Sequence, residues 1–445
     1  MTLSEASRQR LEKIVGLWDQ LVDAKVGVIQ TVEELAIDDD DPEFFHYYSR
    51  ACDTARFTAM KNFGDNGGAS VDRYIAIAKA MGEAVERYCA AIYDPSDFLF
   101  AAYRDLKVRA VHPDLLAPFR AEQFGWPEFL WHPFTEETPI HWTRGTSLVT
   151  GEEILLPAAS VFIPYHFHGK TRSAFITQPI STGLACGTSF DEAVLSGLCE
   201  VLERDAFTIT WQSRLSRSHI AHDTLPKSSQ DLIARFNAVN VEVKLMDMTT
   251  DIGVPSILSI GVCNAATSPA VAVSAATDPS PERAVRKALE ELAHTRKYAK
   301  HLMRYTPELE VQTEQGHPNI KDQRDHLRFY CPQFAKAYAE FAWASDEVVS
   351  FDTLPDLSGD EQLSDVVRNA AAAGLEPIVI DLTTPDIAPL GLHAVRVVVP
   401  GAHPLFMGHA NRALGMARLY DVPPRLGYRG LAAGDMDNPY PHPFP

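Results

Sequence analysis

Two stretches of this chain carry the same unusual pattern, and together they restrict the folds open to it more than any other feature. Glu83-Ala84-Val85-Glu86-Arg87 and Glu200-Val201-Leu202-Glu203-Arg204 both read E-x-x-E-R, each closing an apolar run with helical spacing. Each run follows a segment rich in small residues: Gly64 to Ser70, with Gly67 and Gly68, and Ser181 to Ser189, with Gly183 and Gly187. Two loop-then-helix units are expected. On a helix the two glutamates, three residues apart, share a face, and the arginine four residues after the first can pair with it. A single copy reads as a solvated Glu-Arg bridge worth little. Recurrence on helices flanked by Ile75, Ile77, Met81 and Val85, and by Leu195, Leu198, Leu202 and Phe207, argues otherwise. Carboxylates in such surroundings are costly unless neutralised, and neighbouring ones raise each other's pKa. Hard divalent cations solve that problem, and Mg2+ held by carboxylates usually shares its sphere with phosphates. A Mg-nucleotide site is the inference.

A third helix points the same way. Ser280 and Pro281 form an N-cap and first-turn pair, and the helix beyond offers Lys287, Glu290, Glu291, His294 and Arg296, with Lys287 and Glu291 on one face. Alone it is an ordinary charged helix. Gly169-Lys170-Thr171 resembles the end of a P-loop, but Pro164 stands where the cradle needs glycine. The 59 acidic residues exceed the 40 basic ones, and the net charge of −19 argues against nucleic acid or an anionic membrane as the main partner. Residues Met1 to Arg10 lack the apolar centre of a signal peptide and no apolar run nears 20 residues, so a cytoplasmic location is expected. Six cysteines without a C-x-x-C pair read as buried reduced thiols rather than a zinc site.

The rest of the chain reads as α/β, with mixed sheets and packed helices. An amphipathic helix is expected over 4–23 and a strand over Val26 to Val32. Asp38 to Asp41 read as a solvated acidic tip. Strands are expected at Glu242 to Leu245, Ile257 to Val262, Ala270 to Ala275, Pro377 to Leu382 and Val395 to Val399. Helices are expected near 190–213, 281–299 and 361–374, and residues 306–325 read as an exposed insertion.

Ser181-Thr182-Gly183-Leu184-Ala185-Cys186-Gly187-Thr188, then Glu192-Ala193, then Gly197 through Ala206, resembles the signature of the YcaO superfamily. Gly67-Gly68 through Tyr88 is similar to its earlier ATP-binding stretch, and Lys287-Ala288-Leu289 with Glu291 to its later one. The resemblance implies an ATP fold without a P-loop, over residues 25–445, preceded by a helical extension at 1–24. Within it, 25–180 would form a first half, 181–430 a second half and 431–445 a proline-rich catalytic tail. It implies ATP and Mg2+ as cofactors. Glu83, Glu86, Glu200, Glu203 and Glu291 would be the metal ligands; Glu290 is the alternative to Glu291. Gly67, Gly68, Ala185, Thr188, Glu192, Arg204 and Lys287 would face the nucleotide. Glu192 also fits a capping box with Ser189. Lys287 and His294 depart from the arginine and glutamine common at those positions, and lysine lacks the planar fork.

The end of the chain, Pro439-Tyr440-Pro441-His442-Pro443-Phe444-Pro445, alternates proline strictly and favours extended polyproline geometry. With Pro423 to Tyr428 it resembles the YcaO enzymes that form azolines in ribosomally synthesised peptides, where the terminus delivers a catalytic carboxylate, here that of Pro445. The resemblance implies ATP-dependent cyclodehydration of Cys, Ser or Thr in a precursor peptide, to thiazoline or oxazoline. The expected partner is an E1-like or ocin-ThiF-like leader-binding protein, with a flavin dehydrogenase where oxidation follows; a homodimer is compatible. Thioamide or macroamidine formation and a non-catalytic ATP-binding scaffold remain the alternatives.

Overall fold

The expected alternation of apolar strands and helices resolves into three sheets with helices laid between them. The structure, a computed structural model, describes residues 5–127, 129–167, 174–306, 320–432 and 434–444. Its helices are α1 (Glu5–Gly16), α2 (Trp18–Leu21), α3 (Arg73–Ala91), α4 (Phe190–Gln212), α5 (Lys227–Asn237), α6 (Pro281–Tyr305), α7 (Gln323–Phe329), α8 (Lys336–Ala339), α9 (Gln362–Ala372) and α10 (Arg418–Arg425).

The first sheet is antiparallel, β1 (Ile29–Leu35), β2 (Phe45–Ala51) and β3 (Asp65–Ser70) in that order. The next strands in the chain are β4 (Leu99–Ala102), β5 (Pro139–Ser147), β6 (Glu153–Pro157) and β7 (Leu184–Gly187). After them come β8 (His219–Ile220), β9 (Val241–Asp247), β10 (Ser256–Cys263), β11 (Val271–Thr277), β12 (Val348–Val349), β13 (Ile378–Asp381) and β14 (His393–Val398). A five-stranded sheet runs β11-β10-β9-β8-β12, and a six-stranded one β4-β5-β13-β14-β7 with β6 beside β5.

The five expected strands from 242 onward are β9, β10, β11, β13 and β14, and the three expected helices are α4, α6 and α9. The N-terminal helix is broken at Leu17, after Gly16, whose backbone freedom weakens a helix interior. Its apolar residues Ile14, Val15, Trp18 and Leu21 do pack on the core around α3. The first strand starts at Ile29, not Val26, because the Asp23 carboxylate accepts the amides of Lys25 and Val26 in a turn. Most of the expected 306–325 insertion, like Gly169-Lys170-Thr171, lies outside the described residues, while α7 begins within its end.

Two expectations are corrected. The glycine-rich segments are not wholly loops: Asp65–Ser70 is β3 and Leu184–Gly187 is β7, each at a sheet edge, paired only with β2 and with β14 among the described residues, while Gly183 stays in a turn. Glycine serves close packing there. A Cβ on Gly68 would lie 2.4 Å from the Ala76 carbonyl of α3, so the helix can lie on the strand only without one. Nor is Asp38 to Asp41 a solvated tip. The Asp41 side chain is buried and meets Arg296 at 2.9 Å, Lys297 at 2.5 Å and Lys300 at 3.0 Å, all from α6. Lys300 also binds Asp40, and Arg304 reaches Asp38 at 3.3 Å. The three carboxylates come within reach of one point, but the site is neutralised by these four cations.

The core explains why α4 is apolar nearly all round. Ala193, Val194, Leu198, Val201 and Leu202 pack with Val379, Val395 and Val397 of the six-stranded sheet. Ala206, Phe207 and Trp211 pack with Leu258, Ile260, Val271 and Val273 of the five-stranded one. A helix sandwiched between two sheets needs no polar face, so the charged residues it carries are exceptions that call for another cause.

Candidate ATP and magnesium site

Those exceptions meet at one place. In α3, Arg87 reaches Glu83 at 3.2 Å and Glu86 at 3.6 Å; in α4, Arg204 reaches Glu200 at 3.2 Å and Glu203 at 2.8 Å. The backbone preceding each helix repeats the echo. The Gly67 amide donates to Glu83 Oε2 at 2.9 Å, and the Gly183 amide to Glu200 Oε2 at 3.3 Å. The first glutamate of each motif is therefore held by a backbone amide and an arginine. The second is deeper: side-chain exposure is 14% for Glu86 and 13% for Glu203, against 33% and 27% for Glu83 and Glu200.

Depth sets their acidity. Burial pushes Glu86 up to about 8 despite Arg87, with Glu200 and Glu83 adding to the rise. Burial likewise pushes Glu203 up to about 7 against Arg204, with Glu200 and Glu291 raising it further. Glu86 thus feels α4, and Glu203 feels α6. Glu203 also accepts the Thr277 amide at 3.2 Å.

On α6, Ser280 caps the helix through the Arg283 amide with Pro281 in its first turn, as expected. Glu290 is buried, accepting from Ser70 Oγ and Lys79 Nζ, both at 2.7 Å. Glu291 keeps 44% of its side chain exposed, with His294 Nδ1 at 3.9 Å. Lys287 is paired at 2.8 Å with the buried Asp278, which also accepts from Arg283. Ala185 is buried on β7, and Gly68 lies against α3. Glu192 makes half of a capping box. Its amide donates to Ser189 Oγ at 3.3 Å, while its carboxylate accepts from the Thr188 amide at 3.0 Å and the Thr188 hydroxyl at 2.8 Å.

Sequence reasoning missed Arg396 on β14, a buried cation that attracts Glu200 and Glu86 and is itself lowered to about 10, chiefly by burial. Its Nη1 donates to the Ile180 carbonyl at 2.8 Å. The signal was there: one arginine inside the apolar run Ala394 to Val399. It also missed Asp278, the counter-ion of Lys287.

The donor set fits the groups it is expected to hold. The carboxylate oxygens are hard ligands, and two of the acids are destabilised in their charged form until a cation arrives. Buried guanidinium nitrogens Arg87 Nη1, Arg204 Nε and Arg396 Nε have no hydrogen-bond partner, as groups awaiting an anion would.

The tail meets α4 at its C-terminal end and at Arg204. The Asn438 amide donates to Gln212 O at 2.9 Å and its Nδ2 to Trp211 O at 3.1 Å, at the C-terminal end of α4. Tyr440 stacks on Tyr338, and Tyr330 Oη donates to Pro441 O at 2.7 Å. His326 Nδ1 donates to His442 O and His442 Nε2 to Phe406 O, both at 2.8 Å. Phe444 is buried against Phe207 with the Arg204 guanidinium 4.3 Å from its ring centre. Pro445 lies outside the described residues.

Helix glutamates gathered with buried arginines define a class of donor set suited to hard cations and phosphate. The chain belongs to one family of that class: residues 67–403 match YcaO, described as an ATP- and Mg2+-binding cyclodehydratase. ATP and Mg2+ are its cofactors. An uncharacterised protein of Methanothermobacter thermautotrophicus is 29% identical over 364 residues, 78% of this chain and 85% of its own. A heterocyclase solved in complex with substrate and cofactor shares the fold with a TM-score of 0.79 at 22% identity, over 98% of this chain. The present chain spans 57% of that one. The YcaO protein of Methanopyrus kandleri, bound with AMPPCP and Mg2+, gives a TM-score of 0.63 at 21% identity over 88% of this chain and 90% of its own. No helix among the described residues is long and apolar enough to cross a membrane.

Proposed function

We propose that the protein is an ATP-dependent cyclodehydratase that converts Cys, Ser or Thr of a precursor peptide into thiazoline or oxazoline. The observation that carries this reading is the buried tail, which lies along α4 with Phe444 beneath Arg204 of the second E-x-x-E-R motif. Thioamide or macroamidine formation would give no reason for a proline-alternating terminus docked at that arginine.

In this reading Glu83, Glu86, Glu200, Glu203 and Glu291 hold Mg2+. Gly67, Gly68, Ala185, Thr188, Glu192, Arg204 and Lys287 lie on the nucleotide side, with Arg396 as a further cation. ATP supplies the phosphoryl group that turns the amide oxygen into a leaving group. The chain's own part is to hold the reacting groups in register, exclude water and accept a proton. The α-carboxylate of Pro445 is the base for the attacking side chain, being ionised at neutral pH with an ordinary value of about 3.3 to 3.7. A separate E1-like partner presents the leader peptide.

The test is incubation with ATP, Mg2+ and a Cys-bearing precursor peptide, with and without the partner protein. One phosphate released and one water lost per modified residue is the expected result. Replacement of oxygen by sulfur in the peptide would establish the thioamide alternative, and ATP binding without peptide-dependent turnover would establish a scaffold.

A further inference from the structure

The tail is fixed at its root far more firmly than a flexible terminus requires. Asn438 is fully buried and uses both nitrogens on the last carbonyls of α4, Gln212 O at 2.9 Å and Trp211 O at 3.1 Å, while its Oδ1 accepts the Tyr440 amide at 3.1 Å. Asp437, one residue earlier, accepts from Gln212 Nε2 and from Arg412 Nε, the latter at 2.7 Å. The Arg412 side chain is 7% exposed and that of Asp437 17%. These contacts occupy C-terminal carbonyls that a helix cannot satisfy itself. From there the chain runs back along α4, antiparallel to it. Asn438 lies at Trp211 and Gln212, His442 and Phe444 at Phe207, and Phe444 at Arg204. The same helix therefore carries Glu200 and Glu203 and the fixed point from which the tail is laid down.

We infer that Asp437 and Asn438 are positioning residues that set the register of the tail against the E-x-x-E-R motif, so that α4 works as a ruler between the tail root and the site. The inference rests on the proposed role of the tail end in cyclisation. Proline at every second position keeps the chain extended, and a one-residue slip shifts everything beyond it by about 3 Å. That distance is the whole reach of a hydrogen bond to a reacting proton. No step of the chemistry touches Asn438 itself.

The experiment uses the full chain with its partner protein, ATP, Mg2+ and precursor peptide. The Asn438→Ala variant should lose about 100-fold in the rate of ring formation at saturating substrate, the usual scale for a misplaced catalytic group. Its affinity for Mg-ATP and the KM for peptide should stay within about twofold. A second variant, with Ala-Pro inserted after Asn438, leaves both anchor residues in place and moves only the register; it should lose activity to a similar degree. Hydrogen exchange separates positioning from folding: the amides of Tyr440, His442 and Phe444 should exchange faster in Asn438→Ala, while residues 190–212 keep their protection. Ring formation at the wild-type rate in both variants overturns the inference, and so does loss of protection across α4. The control is a glycine added after Pro445. If that enzyme is also fully active, the reading of the tail end has failed; if it is inactive while the anchor variants are active, only the ruler has.

Discussion

The guanidinium of Arg204 lies over the ring of Phe444, 4.3 Å from its centre, while its nitrogens reach Glu200 and Glu203. One side chain thus touches both the carboxylates expected to hold metal and the last described residue of the tail. Replacing Phe444 with leucine keeps most of the apolar volume but removes the π face. Ring formation should fall by about tenfold while nucleotide binding changes little, since an interaction of this kind is worth about 1 to 2 kcal/mol. Parallel assays of turnover and ATP affinity decide it; equal losses in both would mean that Phe444 only supports Arg204.

Glu200→Gln and Glu203→Gln each remove a formal charge with little change of shape. Both variants should fold, melting within a few degrees of the parent, and lose peptide-dependent ATP turnover by on the order of 100-fold or more. Circular dichroism and phosphate release measure the two quantities. Wild-type turnover in both would remove these residues from the metal site.

Binding of Mg-ATP should release protons. At pH 7 an acid with its value at about 8 is mostly protonated and one at about 7 is half protonated, as for Glu86 and Glu203. Metal ligands must be ionised, so about one to two protons should leave per binding event at pH 7, and few at pH 9.5. Both values lie above those of the unfolded chain, so the metal-free fold holds more protons than the unfolded state. Their contribution is complete below about pH 4.5 and is lost as pH rises through 7 and 8. Calorimetry in buffers of different ionisation enthalpy counts the protons, and melting curves of the metal-free protein follow the stability.

The imidazoles of His326 and His442 stack at 3.9 Å, and each is locked as one neutral tautomer. His326 donates from Nδ1 and accepts the Gly408 amide at Nε2; His442 donates from Nε2 and accepts the Phe444 amide at Nδ1. Burial lowers both, His326 to about 3. The unfolded chain, near 6.5, therefore binds more protons, and stability falls as pH drops from about 6.5 toward 3. A His326→Phe variant, which cannot titrate, should show a shallower loss of melting temperature over that window. An unchanged slope would exclude this residue as the source.

Gly67 supports a steric test. A Cβ there would stand 2.5 Å from Cε1 and Nε2 of His294, so Gly67→Ala must displace the imidazole, the Glu83 amide contact, or both. Nucleotide affinity should weaken about tenfold in Gly67→Ala and largely recover in the Gly67→Ala, His294→Ala double variant, a coupling of neighbours rather than an additive effect. Absence of recovery would locate the cost in the strand itself.

How much of this was legible in the sequence varied with the physics behind each part. The E-x-x-E-R helices could be read because a charged pair on an apolar helix conflicts with its surroundings, and Glu291 could be chosen over Glu290 only by register. The strands at Gly67 and Gly187 were hidden, since glycine has low strand propensity and its purpose there is contact with α3 or α4, which no local pattern records. Asp41 was misread because its counter-ions Arg296, Lys297 and Lys300 lie some 255 to 259 positions away. The tail's prolines announced its stiffness; that its root binds Trp211 and Gln212 depends on two termini of structure meeting in space.

The ionic lock between Asp38, Asp40 and Asp41 and the cations of α6 also bears on how a nucleotide arrives. Arg296, Lys297 and Lys300 are largely withdrawn from solvent and paired with Asp41, so they offer an incoming polyanion no direct contact, and the chain as a whole carries a net charge of −19. ATP must then approach against a repulsive long-range field and be retained only by short-range contacts. Capture of this kind quickens as ionic strength rises, because salt shortens the reach of the repulsion before it weakens the buried contacts.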